Sequence, residues 1–147
     1  MSIEIVRATI NDVQVLAPLF NSYRTFYKQP ADLKSAAGFL QERLEKEESV
    51  VFLAMADGLP AGFTQLYPIF SSVSLKRAWI LNDLFVDPAY RKRGVGKALL
   101  QRAREWGRET NSKWLMLQTQ VRNFNAQHLY ESDGWEKESD LFYRLDL

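Results

Sequence analysis

The chain has 147 residues, of which 46% are hydrophobic and 13% aromatic, so it is long and apolar enough to form one domain over residues 1–147. A net charge of +1 argues against nucleic acid as the main partner, because proteins that coat nucleic acid carry a strong basic excess. The chain has no cysteine, which excludes disulfides and thiol nucleophiles, and its single histidine, His128, argues against a zinc site, so we expect no metal. No signal-peptide core or membrane-spanning run is present, and we expect a soluble, cytoplasmic protein with no membrane partner.

The first fifty residues predict one strand and two helices. Residues 3–8 fit a strand, Thr9 fits the start of a capping box, and apolar residues recur at helical spacing over residues 13–23. Pro18 lies inside this pattern and predicts either a kink or the true start of the helix. After a break at residues 29–32, a second helix places its apolar side chains on one face: Ala36, Phe39, Leu40 and Leu44.

The middle of the chain predicts a hairpin and a further strand. Residues 50–56 form a continuous apolar run that indicates a buried strand, and residues 61–70 predict its hairpin partner. The turn signal Asp57-Gly58 lies between these two strands. A polar loop then leads into a third strand over residues 79–86.

The last third predicts a helix that ends near Thr110, a strand over residues 114–119, and a helix over residues 126–133 that Gly134 ends. One or two final strands follow over residues 135–145, with a break near Ser139. This order of elements predicts an α/β (α+β layered) fold, in which a mixed, mostly antiparallel twisted sheet is flanked by about four helices.

The most informative stretch is Arg91-Lys92-Arg93-Gly94-Val95-Gly96-Lys97-Ala98, which stands where a strand turns into a helix. N–H groups at a helix start lack intrahelical partners and attract anions, and glycine lets an anion approach them. Cations there are unfavourable unless an anion is bound, which favours a phosphate site over a merely basic helix start. Ala98 follows Lys97 where a nucleotide P-loop needs Ser or Thr, and the third glycine of the dinucleotide fingerprint is missing.

The remaining pattern resembles the GCN5-related N-acetyltransferase (GNAT) superfamily, in its small-amine or polyamine-like branch. The acetyl-CoA loop of that family is Gln/Arg-x-x-Gly-x-Gly/Ala. Residues 81–88, Leu-Asn-Asp-Leu-Phe-Val-Asp-Pro, are similar to the family's fourth strand, and Asn123-x-x-Ala126-x-x-x-Tyr130-x-x-x-Gly134-Trp135 is similar to its second CoA motif. The resemblance is good from Val50 onward, whereas the first fifty residues match only in the order of elements.

The resemblance implies acetyl-CoA as acyl-donor cosubstrate and the GNAT fold. Backbone groups of Leu84 and Val86 are expected to pair with the acetyl-pantetheine portion of the cosubstrate. The N–H groups from Arg93 to Lys97 are expected to bind its pyrophosphate. Asn123 is expected either to contact CoA or to cap its own helix. The expected cofactor-binding residues are Leu84, Phe85, Val86, Arg91, Lys92, Arg93, Gly94, Val95, Gly96, Lys97, Asn123, Asn125, Ala126 and Tyr130.

Two side chains are candidates for catalysis. Tyr130 can protonate the leaving thiolate, although a tyrosine that packs a helix is the alternative. Asp83 can act as the base, as an anion that binds the amine, or as a structural acceptor; Asn82 stands where small-polyamine members carry a glutamate. Tyr23 and Tyr27, together with Asp83, are the expected substrate-binding residues.

The expected reaction is direct attack of a primary amine on acetyl-CoA in a ternary complex, without a covalent enzyme intermediate. The expected acceptor is a small molecule: a polyamine, an amino acid or an aminoglycoside-like compound. A protein N-terminus or lysine and a non-catalytic acyl-CoA sensor are the alternatives. The resemblance also suggests a homodimer, to which the apolar run Leu141-Phe142-Tyr143 can contribute.

Overall fold

The computed structural model describes all residues, 1–147, as a five-stranded sheet with helices on both faces. The strands lie side by side in chain order and are antiparallel, except that the last two run parallel, which confirms the predicted fold class. The elements are β1 (Ile3–Arg7), α1 (Val13–Phe26), α2 (Leu33–Glu45), β2 (Val50–Ala56), β3 (Leu59–Ser71), β4 (Lys76–Val86), α3 (Val95–Glu109), β5 (Leu115–Met116) and α4 (Phe124–Ser132).

Helices cover both faces of the sheet, and β2 shows this most clearly. Val50, Phe52 and Ala54 pack into the cluster on the α3 face, whereas Val51 and Leu53 pack into the cluster under α1 and α2. A strand that is buried on both faces needs apolar residues at every position, which is why this segment lacks the polar alternation of a half-exposed strand.

A β-bulge in β4 determines which way its functional side chains point. In the pairing of β3 with β4, Gln65 lies opposite Asp83 but the next residue, Leu66, lies opposite Leu81. Asn82 is therefore the extra residue on β4, and the bulge reverses the alternation of the strand at this point. Leu81 packs in the α3 cluster, while Asp83 turns to the α1 face.

The start of α1 confirms the capping box. The Thr9 N–H donates to Asp12 Oδ2 at 2.7 Å, and the Thr9 hydroxyl caps the 3₁₀ turn Ile10–Asp12 that leads into the helix. The helix continues across Pro18 on its exposed side, so Pro18 is not the start of α1.

The end of the chain differs from the prediction. The strand expected over residues 114–119 is reduced to Leu115–Met116, and the final strands expected over residues 135–145 are absent, so that prediction was wrong. The alternation of apolar residues favours a strand, but a strand forms only where a neighbour supplies hydrogen bonds. No backbone group after Trp135 bonds to another backbone group of the chain.

Candidate active site

A cleft opens where β4 and β5 separate. The parallel pairing of the two strands is confined to Trp79 with Leu115 and Ile80 with Met116, so the β4 edge beyond Ile80 has no strand partner. A cavity of about 400 Å³ lies there between β4 and residues 116–120, and Tyr23 and Tyr27 also line it. We call it the β4–β5 cleft. An open strand edge offers N–H and C=O groups to an extended ligand, which is the role that the resemblance implies for Leu84 and Val86.

The glycine-rich loop presents a row of free backbone donors. The first hydrogen bond of α3 runs from Ala98 N to the Gly94 carbonyl at 3.0 Å, and no N–H from Lys92 to Lys97 donates within the chain. The loop depends on left-handed backbone at Lys92, with φ of 60°, and at Gly94, with φ of 88°. Lys92, Arg93 and Lys97 are exposed beside it. The loop therefore fits a pyrophosphate, which needs convergent donors and positive charge.

Arg91 has a different position from the other basic residues of the loop. Its Nε donates to the Val86 carbonyl at 2.9 Å, and its guanidinium lies over the rings of Phe26 and Phe85 at 5.9 and 5.7 Å. The Arg91 side chain therefore lies beside the end of β4 and links α1 to the loop. It does not point to the free N–H groups with its neighbours Lys92 and Arg93.

α4 lies against the glycine-rich loop. Leu129 packs so closely on Gly96 that an added Cβ would lie 3.2 Å from Leu129 Cδ2, so glycine permits this approach. The Asn123 side chain accepts from Ala126 N at 3.2 Å and is an N-cap, the structural alternative raised above. Asn125 is exposed. The second motif thus positions α4 beside the loop, and the contacts of Asn123 and Leu129 are explained by packing and capping within the chain.

The side chains of β4 divide between packing and function. Phe85 is buried under α1 with Phe63 and Tyr23, whereas Leu84 and Val86 pack on the α3 side. Val95, the first residue of α3, is also a core residue. These side chains hold the strand in place, so any contact of Leu84, Phe85 or Val86 with a ligand comes from their backbone groups.

Asp83 is a buried carboxylate with its own set of donors. It is 4% exposed and accepts from Gln65 Nε2 at 2.7 Å and from Asn82 Nδ2 at 3.1 Å. Burial raises the pKa of Asp83 above the ordinary value, and contacts from Gln65, Tyr23 and Asn82 oppose this rise. Gln65 is fully buried, and its Oε1 has no hydrogen-bond partner. The Asp83 carboxylate and the unpaired Gln65 Oε1 therefore lie beside the β4–β5 cleft.

Three tyrosines surround this carboxylate. Burial and the nearby Asp83 raise the pKa values of Tyr23 and Tyr27, and raise the pKa of Tyr67 to about 12. The rings of Tyr23 and Tyr27 meet edge to face, with centroids 5.0 Å apart. Neutral phenols and aromatic faces beside a buried carboxylate form a site that suits an organic cation.

Tyr130 lies on α4, close to Tyr27. Its half-buried ring packs against Trp135, with ring centroids 6.2 Å apart. Burial, and then the proximity of Tyr27, raise the pKa of Tyr130 to about 12. The hydroxyl therefore keeps its proton at neutral pH and is available as a donor.

Gln65 and Tyr67 are the two residues that the sequence analysis missed. Both lie on β3, opposite or close to Asp83, and become part of the site only through strand pairing. The one available signal was Gln65 itself, which with Thr64 forms a polar pair between the apolar Phe63 and Leu66 in the strand predicted over residues 61–70.

Comparison with known proteins identifies the family. A sequence model described as "Acetyltransferase (GNAT) family" matches residues 14–135. The chain belongs to the GNAT family. This GNAT protein is therefore an acetyl-CoA-dependent acetyltransferase, as the resemblance predicted. None of its helices combines the length and the apolar composition that a membrane crossing requires.

Relatives of this GNAT acetyltransferase agree in fold and class. It is 48% identical over 137 residues to the uncharacterized N-acetyltransferase YhfO of Bacillus subtilis, covering 93% of this chain and 92% of the relative. It is 29% identical over 119 residues to an aminoglycoside N(6')-acetyltransferase type 1 of Salmonella typhimurium, covering 78% and 81%. The crystal structure of a probable acetyltransferase superposes with a TM-score of 0.93 and 44% identity, covering 98% and 97%.

Proposed function

We propose that this acetyltransferase moves the acetyl group of acetyl-CoA to a primary amine of a small molecule, by direct attack in a ternary complex. The observation that carries the proposal is the buried Asp83 carboxylate, surrounded by tyrosines at the β4–β5 cleft. A protonated amine is a compact cation, and a buried carboxylate with aromatic faces favours it through charge and cation–π attraction.

Acetyl-CoA brings an activated thioester. In the proposed complex, the free N–H groups from Arg93 to Lys97 hold its pyrophosphate, and the open edge of β4 at Leu84 and Val86 aligns its acyl arm. Backbone donors at that edge, including the Leu84 N–H, stabilise the developing oxyanion.

Asp83 and Tyr130 divide the proton transfers. The attacking nitrogen must lose a proton, and a raised pKa makes Asp83 a stronger base than an ordinary aspartate. The leaving thiolate must gain a proton or a hydrogen bond, and the Tyr130 phenol, which lies near Tyr27, is the proposed donor. In the proposed complex the amine lies beside Asp83 and the thiol lies beside Tyr130.

Two observations support a small acceptor. The cleft volume of about 400 Å³ lies in the range of small-molecule sites. One relative is named as an aminoglycoside N(6')-acetyltransferase. A polyamine, an amino acid or an aminoglycoside-like amine is therefore proposed before a protein terminus.

The test is a panel of small amines with acetyl-CoA, scored by release of free thiol. The chain has no cysteine, so thiol reagents report only CoA. We expect turnover with at least one small amine and its loss in Asp83→Asn. Turnover only with peptides would overturn the small-acceptor proposal, and acetyl-CoA binding without thiol release would indicate a sensor. A homodimer and a cytoplasmic location stay predictions.

A further inference from the structure

A fully buried amide lies on the α1 face of the sheet. In the pairing of β3 with β4, Phe63 lies opposite Phe85 and Gln65 lies opposite Asp83. Residues two apart on a strand share a face, so Gln65 and Asp83 lie on the face where Phe63 and Phe85 pack under α1. Gln65 is 0% exposed, so it acts on a bound molecule only through its neighbours.

The two ends of the Gln65 amide are used differently. Nε2 donates to Asp83 Oδ2 at 2.7 Å, whereas Oε1 is buried without a hydrogen-bond partner. A buried acceptor without a donor costs stability, and an apolar side chain of similar shape would avoid that cost. Packing therefore does not explain an amide at this position, and its bond to Asp83 does.

The two carboxylate oxygens of Asp83 have different surroundings. Oδ2 accepts from the buried Gln65, whereas Oδ1 accepts from Asn82 Nδ2 at 3.1 Å. Asn82 is exposed and lines the β4–β5 cleft, so Oδ1 is the oxygen on the cleft side. The last torsion of an aspartate is broad and two-fold, and the bond from Gln65 keeps the two oxygens from exchanging places.

We propose that Gln65 is a positioning residue for acetyl transfer, which holds Asp83 Oδ2 from inside the sheet so that Oδ1 faces the amine. This role rests on the proposed function, in which Asp83 is the base. As the N–C bond to the acetyl group forms, the N–H proton passes to Oδ1, and the electron pair of the C–S bond leaves with the sulfur of CoA. Oδ2 keeps its bond from Gln65 before and after the transfer, so the buried donor does not have to rearrange.

No neighbouring cation replaces Gln65 in this role. The titratable and charged groups that face Asp83 or its neighbours are four tyrosines and one arginine: Tyr23 and Tyr27 of α1, Arg43 of α2, Tyr67 of β3 and Tyr130 of α4. Burial raises the pKa values of all four tyrosines, so they keep their protons where a carboxylate titrates. The arginine is paired with Glu48 at 3.1 Å. Burial raises the pKa of Asp83, and the bond from Gln65 is the largest contact that opposes this rise.

The titration of Asp83 can be measured without any substrate, by carboxyl-carbon NMR of the full chain with ¹³C-labelled aspartate. Asp83→Asn identifies the signal. Gln65→Met keeps the length of the side chain and removes the donor, so the midpoint should move to higher pH by at least about one pH unit, the effect of one hydrogen bond to a charged group. Gln65→Glu should move it further, because two carboxylates then share the site.

Thr64→Val is the matched control for this titration. It removes an equally buried hydrogen bond, from the Thr64 hydroxyl to the Asp83 backbone carbonyl at 2.8 Å, and should leave the midpoint in place. His128→Gln removes the single histidine of the chain and should also leave it in place. An unmoved midpoint in Gln65→Met, or an equal shift in Thr64→Val, would overturn the role of Gln65.

Thiol release with spermidine, free lysine and kanamycin then tests whether this contact serves the reaction. For an amine that turns over, Gln65→Met should lower kcat/KM about tenfold, leave the acetyl-CoA Kd unchanged, and have no further effect in the Asp83→Asn background. Thr64→Val should keep normal kcat/KM. Loss of activity in Asp83→Asn with normal activity in Gln65→Met would overturn the role of Gln65 alone, whereas full activity in Asp83→Asn would overturn the proposed function of Asp83 on which it rests.

Discussion

The proposed site has an acyl-donor side, at the glycine-rich loop, and an amine-acceptor side, around Asp83, and the two are built from different kinds of group. The glycine-rich loop presents backbone N–H groups whose direction depends on a few adjacent residues, above all Gly94. The region around Asp83 presents buried side chains from α1, β3 and β4. The first arrangement tolerates many side chains and suits a cosubstrate shared across a family. The second depends on each side chain and suits a particular acceptor.

Tyr130→Phe tests the proposed general acid and, together with Asp83→Asn, should have the largest effect. Loss of the phenol proton should lower kcat about 100-fold, within the usual range for a general acid, and leave the acetyl-CoA Kd within about twofold. Steady-state thiol release and calorimetry measure the two quantities. Tyr90→Phe, a tyrosine that packs against the α3 cluster, is the control and should keep normal turnover. Unchanged kcat in Tyr130→Phe would remove it as the acid.

Asp83→Asn should weaken the reaction with the amine acceptor and leave acetyl-CoA binding unchanged. Loss of the buried charge should lower kcat/KM for the amine about 100-fold, close to the cost of unpairing a buried ion, with no change in acetyl-CoA affinity. Glu45→Gln, an exposed carboxylate on α2, is the control. Equal loss of acetyl-CoA binding would mean that the two sides are not independent.

The same variant has a pH-dependent effect on stability. Because burial raises the pKa of Asp83, the folded chain binds this proton more tightly than the unfolded chain does. The ionised carboxylate therefore costs stability above its folded pKa, and the cost disappears as the pH falls through that value. Asp83→Asn should raise Tm at neutral pH and lose this advantage in acid. A lower Tm at neutral pH would mean that the bonds from Gln65 and Asn82 outweigh burial.

The same contrast explains how much the sequence could predict. The loop from Arg91 to Lys97 was readable because its function depends on glycine spacing at a strand–helix junction. Gln65 was missed because it reaches Asp83, 18 residues away, only through strand register. That register also depends on the bulge at Asn82, which no local pattern signals. The final strands were predicted wrongly because apolar alternation describes a preference, whereas a strand also needs a partner edge.

Gly94→Ala should affect only the acyl-donor side of the site, where acetyl-CoA binds. An added Cβ at a φ of 88° costs about 1–2 kcal/mol. If the loop changes its backbone conformation to escape this cost, restoring the binding conformation should weaken acetyl-CoA affinity about tenfold. Gly58→Ala is a close control, because Gly58 has a φ of 80° in the β2–β3 turn and has no atom near its added Cβ. Both variants should lose similar stability, and only Gly94→Ala should weaken acetyl-CoA binding. Equal binding losses would point to a global effect.

The basic side chains should give the smallest effects and can still distinguish residues within the loop. Lys92→Ala, Arg93→Ala and Lys97→Ala should each raise the acetyl-CoA Kd about two- to fivefold, less at high salt, because these exposed charges are screened. Arg91→Ala should change the Kd less, because its guanidinium lies against the Val86 carbonyl and two aromatic rings. Titrations at two ionic strengths measure this. A larger, salt-sensitive loss at Arg91 would mean that its side chain leaves Val86 when the cosubstrate binds, so that the end of β4 is released as the pyrophosphate is captured.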